Sequence, residues 1–262
     1  MSEKEKTMTV QTILDYLWTL APEEYKEGFD NVGFLAGRKD APVQRLLIAL
    51  DATEAVAAEA ADLGCGLVLT HHPIIFHAPK HVTDADPDTR ALLAYLERGI
   101  AVISMHTNLD CAPGGVNDVL ARRLGLHNIE VLEDGETAGL IRMGEVEEQE
   151  LAEFAAFVKA GLRCPGLRYA QGGRPVRRVA VGGGACGDFI RRAAAAGCDT
   201  FVTADLKYHQ FQDAALLGIN LLDAGHFETE DPVCDVLAQR LSARFPELEV
   251  LRSVQTGCIR YL

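Results

Sequence analysis

The sequence predicts an α/β protein made of two related, intertwined α/β domains that arise from an internal duplication. Three observations predict it. Continuous apolar runs of strand length, such as RLLIAL at Arg45–Leu50, alternate with helical segments along nearly the whole chain. That is the rhythm of parallel strands covered on both faces. A single gapless shift of 133 then lays PVQRLLIALDA (Pro42–Ala52) over PVRRVAVGGGA (Pro175–Ala185). Under the same shift Pro42, Val43, Arg45, Gly64, Cys65 and Thr70 meet identical residues at Pro175, Val176, Arg178, Gly197, Cys198 and Thr203. A repeat this long means two half-structures and not a solenoid of short units.

The elements follow in order. Thr9 to Leu20 reads as a helix with Ile13, Leu14, Leu17 and Trp18 on one face. Val32 to Leu35 is a short strand closed by Gly37, and Arg45 to Leu50 a buried one. Thr53 to Ala61 is an alanine-rich helix broken at Gly64, and Gly66 to Leu69 is the next strand. Asp88 is placed to cap a helix ending at Gly99, and the strand Ile100 to Ser104 follows. This βαβαβ order implies a doubly covered sheet with right-handed crossovers. Between the copies lie a strand near Thr137 to Met143 and a helix from Glu147 to Lys159. The chain closes with a helix over Pro232 to Phe245 and strands at Glu249 to Val254 and Gly257 to Leu262. No low-complexity linker separates the halves. The first domain, which carries His-His-Pro, is expected at residues 1–126 plus 224–262, and the second at 127–223.

Composition excludes several classes. With 262 residues, 48% hydrophobic and 24% charged, the chain is neither disordered nor fibrous. Its net charge of −13 repels phosphate backbones, which argues against non-specific nucleic-acid binding. MSEKEKTMTV lacks the apolar stretch of a signal peptide, and no apolar run approaches the roughly 18 residues that span a bilayer. A soluble, cytoplasmic chain is expected. The seven cysteines are odd in number and widely spaced, with no CxxC pair, so buried thiols are expected and not disulfides or a thiolate zinc site.

The chemistry-bearing residues sit at strand ends. His71-His72-Pro73 directly follows Gly66–Thr70, where ligands bind in open parallel sheets. Adjacent histidines in a regular strand face opposite ways, but at a strand end bending into a loop both can turn to one site. A shift of 120 aligns MHTNLD (Met105–Asp110) with GHFETE (Gly225–Glu230), each holding His-x-x-x-acid. Asp110, His226 and Glu230 thus join His71 and His72 as five candidate ligands, three imidazoles and two carboxylates. Such a set suits two divalent ions among Zn, Mn, Fe, Co and Ni, and two ions about 3.5–4 Å apart can activate one water. His106 and His209 are candidates for proton transfer or for orienting a ligand. His77 and His81 could line a cleft, and His127 carries no assignment. Gly182–Gly187 fits GxGxxG with Asp205 some way on, which keeps open a dinucleotide-dependent oxidoreductase or a polar ligand resting on the loop amides.

Phe29-Asp30-Asn31-Val32-Gly33, Thr70–Pro73, His106–Asp110, Thr203–His209 and Asp223–Glu230 resemble, in order, the signature blocks of the NGG-one-interacting-factor-three-like family. Its members are often called GTP cyclohydrolase I type two homologues. The resemblance implies two intertwined α/β domains, a homo-hexamer built as a trimer of dimers, and two divalent ions per chain. Carried over by motif, the family's ligands fall on the same five residues: His71, His72, Asp110, His226 and Glu230. One departure is Ala204, where the family commonly has Gly. Implied functions are metal-dependent hydrolysis of a small, nucleotide-like substrate, as in GTP ring opening, or a non-enzymatic metal- or partner-binding ring. Lys80, Arg168 and Lys207, which could meet a triphosphate, read as ordinary surface residues.

Overall fold

The computed structural model describes residues 8–133, 135, 137 and 139–262, with Asp88 described in its backbone alone. In chain order the first elements are α1 (Val10–Leu20), β1 (Gly33–Ala36), β2 (Arg45–Ala49), α2 (Glu54–Asp62), β3 (Leu67–Thr70), α3 (Pro87–Glu97), β4 (Ala101–Ser104) and α4 (Thr107–Cys111). There follow α5 (Val116–Arg123), β5 (His127–Val131), β6 (Arg142–Gln149), α6 (Leu151–Gly161), β7 (Arg168–Ala170), β8 (Val176–Val181) and α7 (Ile190–Ala195). The last are β9 (Thr200–Thr203), α8 (Tyr208–Leu217), β10 (Asn220–Asp223), α9 (His226–Glu230), α10 (Pro232–Arg244) and β11 (Glu249–Arg252). Two compact units emerge, Met1–Leu109 with Cys234–Gln255 and Asp110–Val233 with Thr256–Leu262. The chain therefore leaves the first unit inside α4 and re-enters it inside α10, whereas the sequence reading put the boundaries after residues 126 and 223.

The first unit holds a five-stranded sheet in the order β1-β4-β3-β2-β11. β2, β3, β4 and β11 run parallel, and β1 pairs antiparallel with β4 at one edge. Every residue of β3 and β4 is buried, which is why their sequences run apolar without alternation. Leu47, Val68 and Val102 on the sheet meet Val56, Ala57 and Ala60 of α2 and Leu92 and Tyr95 of α3. Alanines on α2 let that helix lie close to the strands. Thr9 and Thr53 cap α1 and α2, accepting from the amides of Thr12 at 3.3 Å and Val56 at 3.2 Å. Each such cap is worth about 1 kcal/mol.

A six-stranded sheet in the order β5-β6-β8-β9-β10-β7 forms the second unit, with β8, β9 and β10 parallel and the others antiparallel to their neighbours. One face packs Leu120 of α5, Leu124 just beyond it, and Phe154 and Val158 of α6 on Val179, Val202 and Leu222. The other packs Ile190, Ala193 and Ala214 of α7 and α8 on Ala180, Phe201 and Leu221. The duplication is visible in this topology: β2-β3-β4 and β8-β9-β10 are parallel triplets in the same order, and β3 overlays β9 at the shift of 133.

Two expectations need correction, and two others fall wholly or partly outside the described residues. Glu147 to Gln149 belong to β6, not to a helix, because β6 continues pairing with β8 as far as Gln149↔Val176, and α6 starts at Leu151. Part of the strand expected near Thr137 to Met143 lies outside the described residues, as does the cap expected of the Asp88 side chain. Gly257 to Leu262 is no strand: it pairs with no edge among the described residues, and Tyr261 instead rests against Gly166. β5 and β7 escaped the sequence reading because they are edge strands, largely exposed on both faces, and so carry no apolar period. No helix among the described residues is long and apolar enough to cross a membrane.

Candidate metal centre

In the first unit the end of β3 explains how neighbouring histidines share a site. The amides of His71 and His72 both donate to Leu50 O, at 3.2 and 3.0 Å. Successive amides of a regular strand point in opposite directions, so this double donation marks a sharp turn directly after Thr70. The Thr70 hydroxyl locks that turn by donating to His72 O at 2.8 Å. Donor nitrogens of His71, His72 and His106 consequently lie within 4.8 Å of one another. His71 is buried, while His72 and His106 are half-buried.

Each ring is oriented from behind. His71 Nδ1 contacts Met105 O at 2.8 Å, His72 Nδ1 contacts Asp51 Oδ1 at 2.7 Å, and His106 Nδ1 contacts Asp30 Oδ1 at 2.8 Å. An oxygen acceptor at Nδ1 places the proton there and leaves Nε2 as the lone-pair nitrogen, the usual arrangement behind a metal-ligating imidazole. Asp30 is buried, and burial alone would raise its pKa. Hydrogen bonds from His106 and from the Thr107 hydroxyl and amide outweigh that and hold its carboxyl at about 2. Asp30 is therefore an anion behind His106 near neutral pH.

The second unit supplies Asp110, His226 and Glu230. Asp110 lies in α4, while Gly225, at φ 84°, turns the chain from β10 into α9, whose i,i+4 spacing sets His226 and Glu230 on one face. His226 Nε2 lies 3.1 Å from Glu230 Oε2, and Asp205 Oδ2 contacts His226 Nδ1 at 2.7 Å. Asp110 and Glu230 are both buried, with carboxylate oxygens within 4.8 Å of each other. Asp205 reaches His226 from a left-handed backbone, φ 53°, so the conformational demand at the Ala204 departure falls on Asp205 itself.

The glycine loop lies under these ligands. A Cβ on Gly184, at φ 61°, would collide with Glu230 Oε1 and meet His226 Nε2 at 3.0 Å. Four of the loop amides are committed: Gly182 to Val202 O, Gly183 to Asn117 Oδ1, Gly184 to Thr229 Oγ1 and Cys186 to Thr203 Oγ1. With those four amides used internally, fewer donors remain for an anion to rest on. Asp205, the acid that the GxGxxG pattern would call on, instead contacts His226 Nδ1.

His209, His77, His81 and His127 are exposed, and none joins a ligand group among the described residues. Arg168 is paired with Asp223 and with Leu206 O. Lys80 and Lys207 are exposed. Six cysteines are buried and Cys258 is exposed. Burial raises the Cys164 thiol to about 12 and Cys198 to about 11, so neither is a thiolate donor near neutral pH. Imidazole nitrogens and carboxylate oxygens oriented in this way fit divalent Zn, Mn, Fe, Co or Ni.

A model of the Duf34/NIF3 (NGG1p interacting factor 3) family matches residues 8–257. The chain belongs to that family. Among Duf34/NIF3 relatives, a GTP cyclohydrolase 1 type 2 homolog of Clostridium perfringens is 34% identical over 243 residues, covering 90% of this chain and 92% of the relative. A hypothetical protein of Staphylococcus aureus superposes with a TM-score of 0.91 at 28% identity, over 98% of this chain and 100% of its own. A Bacillus cereus protein related to NIF3 gives a TM-score of 0.89 at 25% identity, over 98% and 100%. The two-domain α/β architecture is thus that of the Duf34/NIF3 proteins.

Sequence reasoning missed the residues behind the ligands. Asp51 sits at the end of β2, where strand-end logic would have found it. Asp30 lay inside a quoted block without a role, and Asn117 has no sequence signature.

Proposed function

We propose that this chain binds two divalent metal ions through His71, His72, Asp110, His226 and Glu230 and hydrolyses a small, nucleotide-like substrate. One observation carries the reading: His71, His72, His106 and His226 all have Nδ1 occupied by an oxygen at 2.7–2.8 Å, three of these from carboxylates. A metal-ligating imidazole almost always gives its other ring N–H to a carboxylate, a backbone carbonyl or water, which fixes its tautomer and orientation. Two divalent ions held by these residues would supply Lewis acidity and ease deprotonation of water. His106 is the chain's own proton acceptor. Its Nε2 carries the lone pair, and ionised Asp30 stabilises the imidazolium that forms when a proton arrives. The relatives' name, GTP cyclohydrolase 1 type 2 homolog, makes purine ring opening the first reaction to test.

The test is metal content per chain by plasma mass spectrometry, on wild type and His72→Ala purified without chelators, followed by a hydrolase screen of loaded protein. Near two ions per chain, falling sharply in the variant, supports the site; no stoichiometric metal after reloading removes it. A second reading, a non-enzymatic metal- or partner-binding ring, is favoured by the pairing of Arg168, which leaves that cation committed to Asp223. A loaded chain inert towards phosphate esters, amides and nucleotides supports that reading. Family resemblance supports a homo-hexamer, a trimer of dimers, which light scattering would report as six times the chain mass.

A further inference from the structure

We infer that Asn117 is a positioning residue for the metal ligands of the second unit, setting the spacing between the Asp110 and Glu230 carboxylates. The inference rests on the metal-binding reading above and adds a residue to it.

Asn117 lies in α5 and is fully buried. Its amide is used at both ends. Nδ2 donates to Asp110 O at 3.2 Å and to Leu140 O at 2.7 Å, and Oδ1 accepts from Gly183 N at 2.7 Å. One side chain thereby ties the backbone of one ligand to the glycine loop. That loop in turn seats the other ligand: a Cβ on Gly183 would stand 3.1 Å from Glu230 Cγ and 3.5 Å from Asn117 Oδ1. Gly184 N continues the path by donating to Thr229 Oγ1 at 3.0 Å, one residue before Glu230. From Asp110 to Glu230 the contacts are continuous, and Asn117 is the side chain that spans the gap.

The chemistry specifies an amide. Two carbonyl oxygens need donors and one N–H needs an acceptor, and among side chains of this size asparagine presents both. Aspartate has the same shape but would set an oxygen against Asp110 O and Leu140 O, and would bring a third carboxylate to this buried cluster. Alanine would leave the carbonyls and the Gly183 amide without their partner, and the two ligand segments would be free to drift apart.

Asn220 provides a matched control. It is equally buried in the same unit, where Nδ2 donates to Arg174 O at 3.0 Å and Oδ1 accepts from Gly172 N at 2.8 Å, and it contacts no ligand residue. The experiment measures Co²⁺ and Zn²⁺ affinity by competition with a chromogenic chelator, and melting of the metal-free proteins, for wild type, Asn117→Ala, Asn117→Asp and Asn220→Ala in the full chain. Asn117→Ala should lose about 10–100-fold in affinity, the range for residues that orient ligands. Asn117→Asp, which keeps the volume, should lose affinity too. Asn220→Ala should melt earlier while binding as tightly as wild type. Unchanged affinity in both Asn117 variants, or an equal loss in Asn220→Ala, overturns the inference. Wild type that binds neither ion overturns the metal reading itself and this inference with it. If Asn117→Ala does not fold, the isosteric aspartate decides alone.

Discussion

A metal site is decided by where single atoms are allowed to be, and Gly184 is the sharpest case. Its φ of 61° and the nearness of Glu230 and His226 leave no room for a methyl group. Gly184→Ala should cost about 1 kcal/mol or more from backbone conformation and should also lower bound metal, read by calorimetry and metal analysis on the same sample. Glu230→Gln should lose metal while retaining the fold, because the carboxylate contributes charge and not core packing; loss of folding would make the metal structural. Thiols test the residue scale differently. With six cysteines buried and Cys258 exposed, a maleimide should label one thiol per native chain and seven after denaturation. At this scale the sequence was legible wherever a side chain bears chemistry: five candidate ligands stood out by type and strand-end position. Asp30, Asp51 and Asn117 did not, because a residue that acts by holding another is marked by its partner, and partners are separated by 76, 21 and 7 positions.

Elements place those atoms, and the loop before β1 is fastened to the start of α4 by Asp30. The Thr107 amide donates to Asp30 Oδ2 at 3.0 Å, its hydroxyl donates to the same oxygen, and His106 contacts the other. A folded pKa of about 2 against an ordinary 3.8 means that folding favours the ionised form. The stabilisation, about 2 kcal/mol, is fully present above pH 4 and disappears as pH falls through about 2. Asp30→Asn should therefore lower the urea midpoint at pH 7, and the difference from wild type should vanish near pH 2. Buried parallel strands were legible as apolar runs because both faces are covered. Edge strands β5 and β7 were not, since their residues face solvent on both sides. The helix expected from Glu147 starts only at Leu151, because β6 keeps its ladder pairing with β8 as far as Gln149.

At the scale of the molecule, the candidate ligands stand apart from the three apolar clusters described above. Apolar clusters under α2 and α3, α5 and α6, and α7 and α8 contain none of the five ligand residues. Chelation should consequently leave the circular dichroism of both sheets unchanged while lowering the melting temperature by mass action. Persistence of the melting temperature after verified metal removal would show that the folded and unfolded chains bind the ions equally. Duplication was legible from the gapless shift, but the crossing points at Leu109 and Val233 were not: they fall inside α4 and α10, where no turn residue announces them.

The split of the first unit has a consequence for synthesis. β2 pairs on one side with β3, which follows it closely, and on the other with β11, whose Glu249 sits opposite Arg45 and is bonded to it at 2.7 Å. Tyr16 on α1 likewise awaits Phe245, against which it stacks edge-on. On the ribosome, the first sheet is made early and stays open along β2 until β11 is made, while Asp110–Val233 of the second unit emerge in between. A nascent chain stopped before Glu249 would carry a hydrogen-bonding edge ready to recruit a neighbour. Premature termination is therefore expected to yield inclusion bodies and not a smaller working protein.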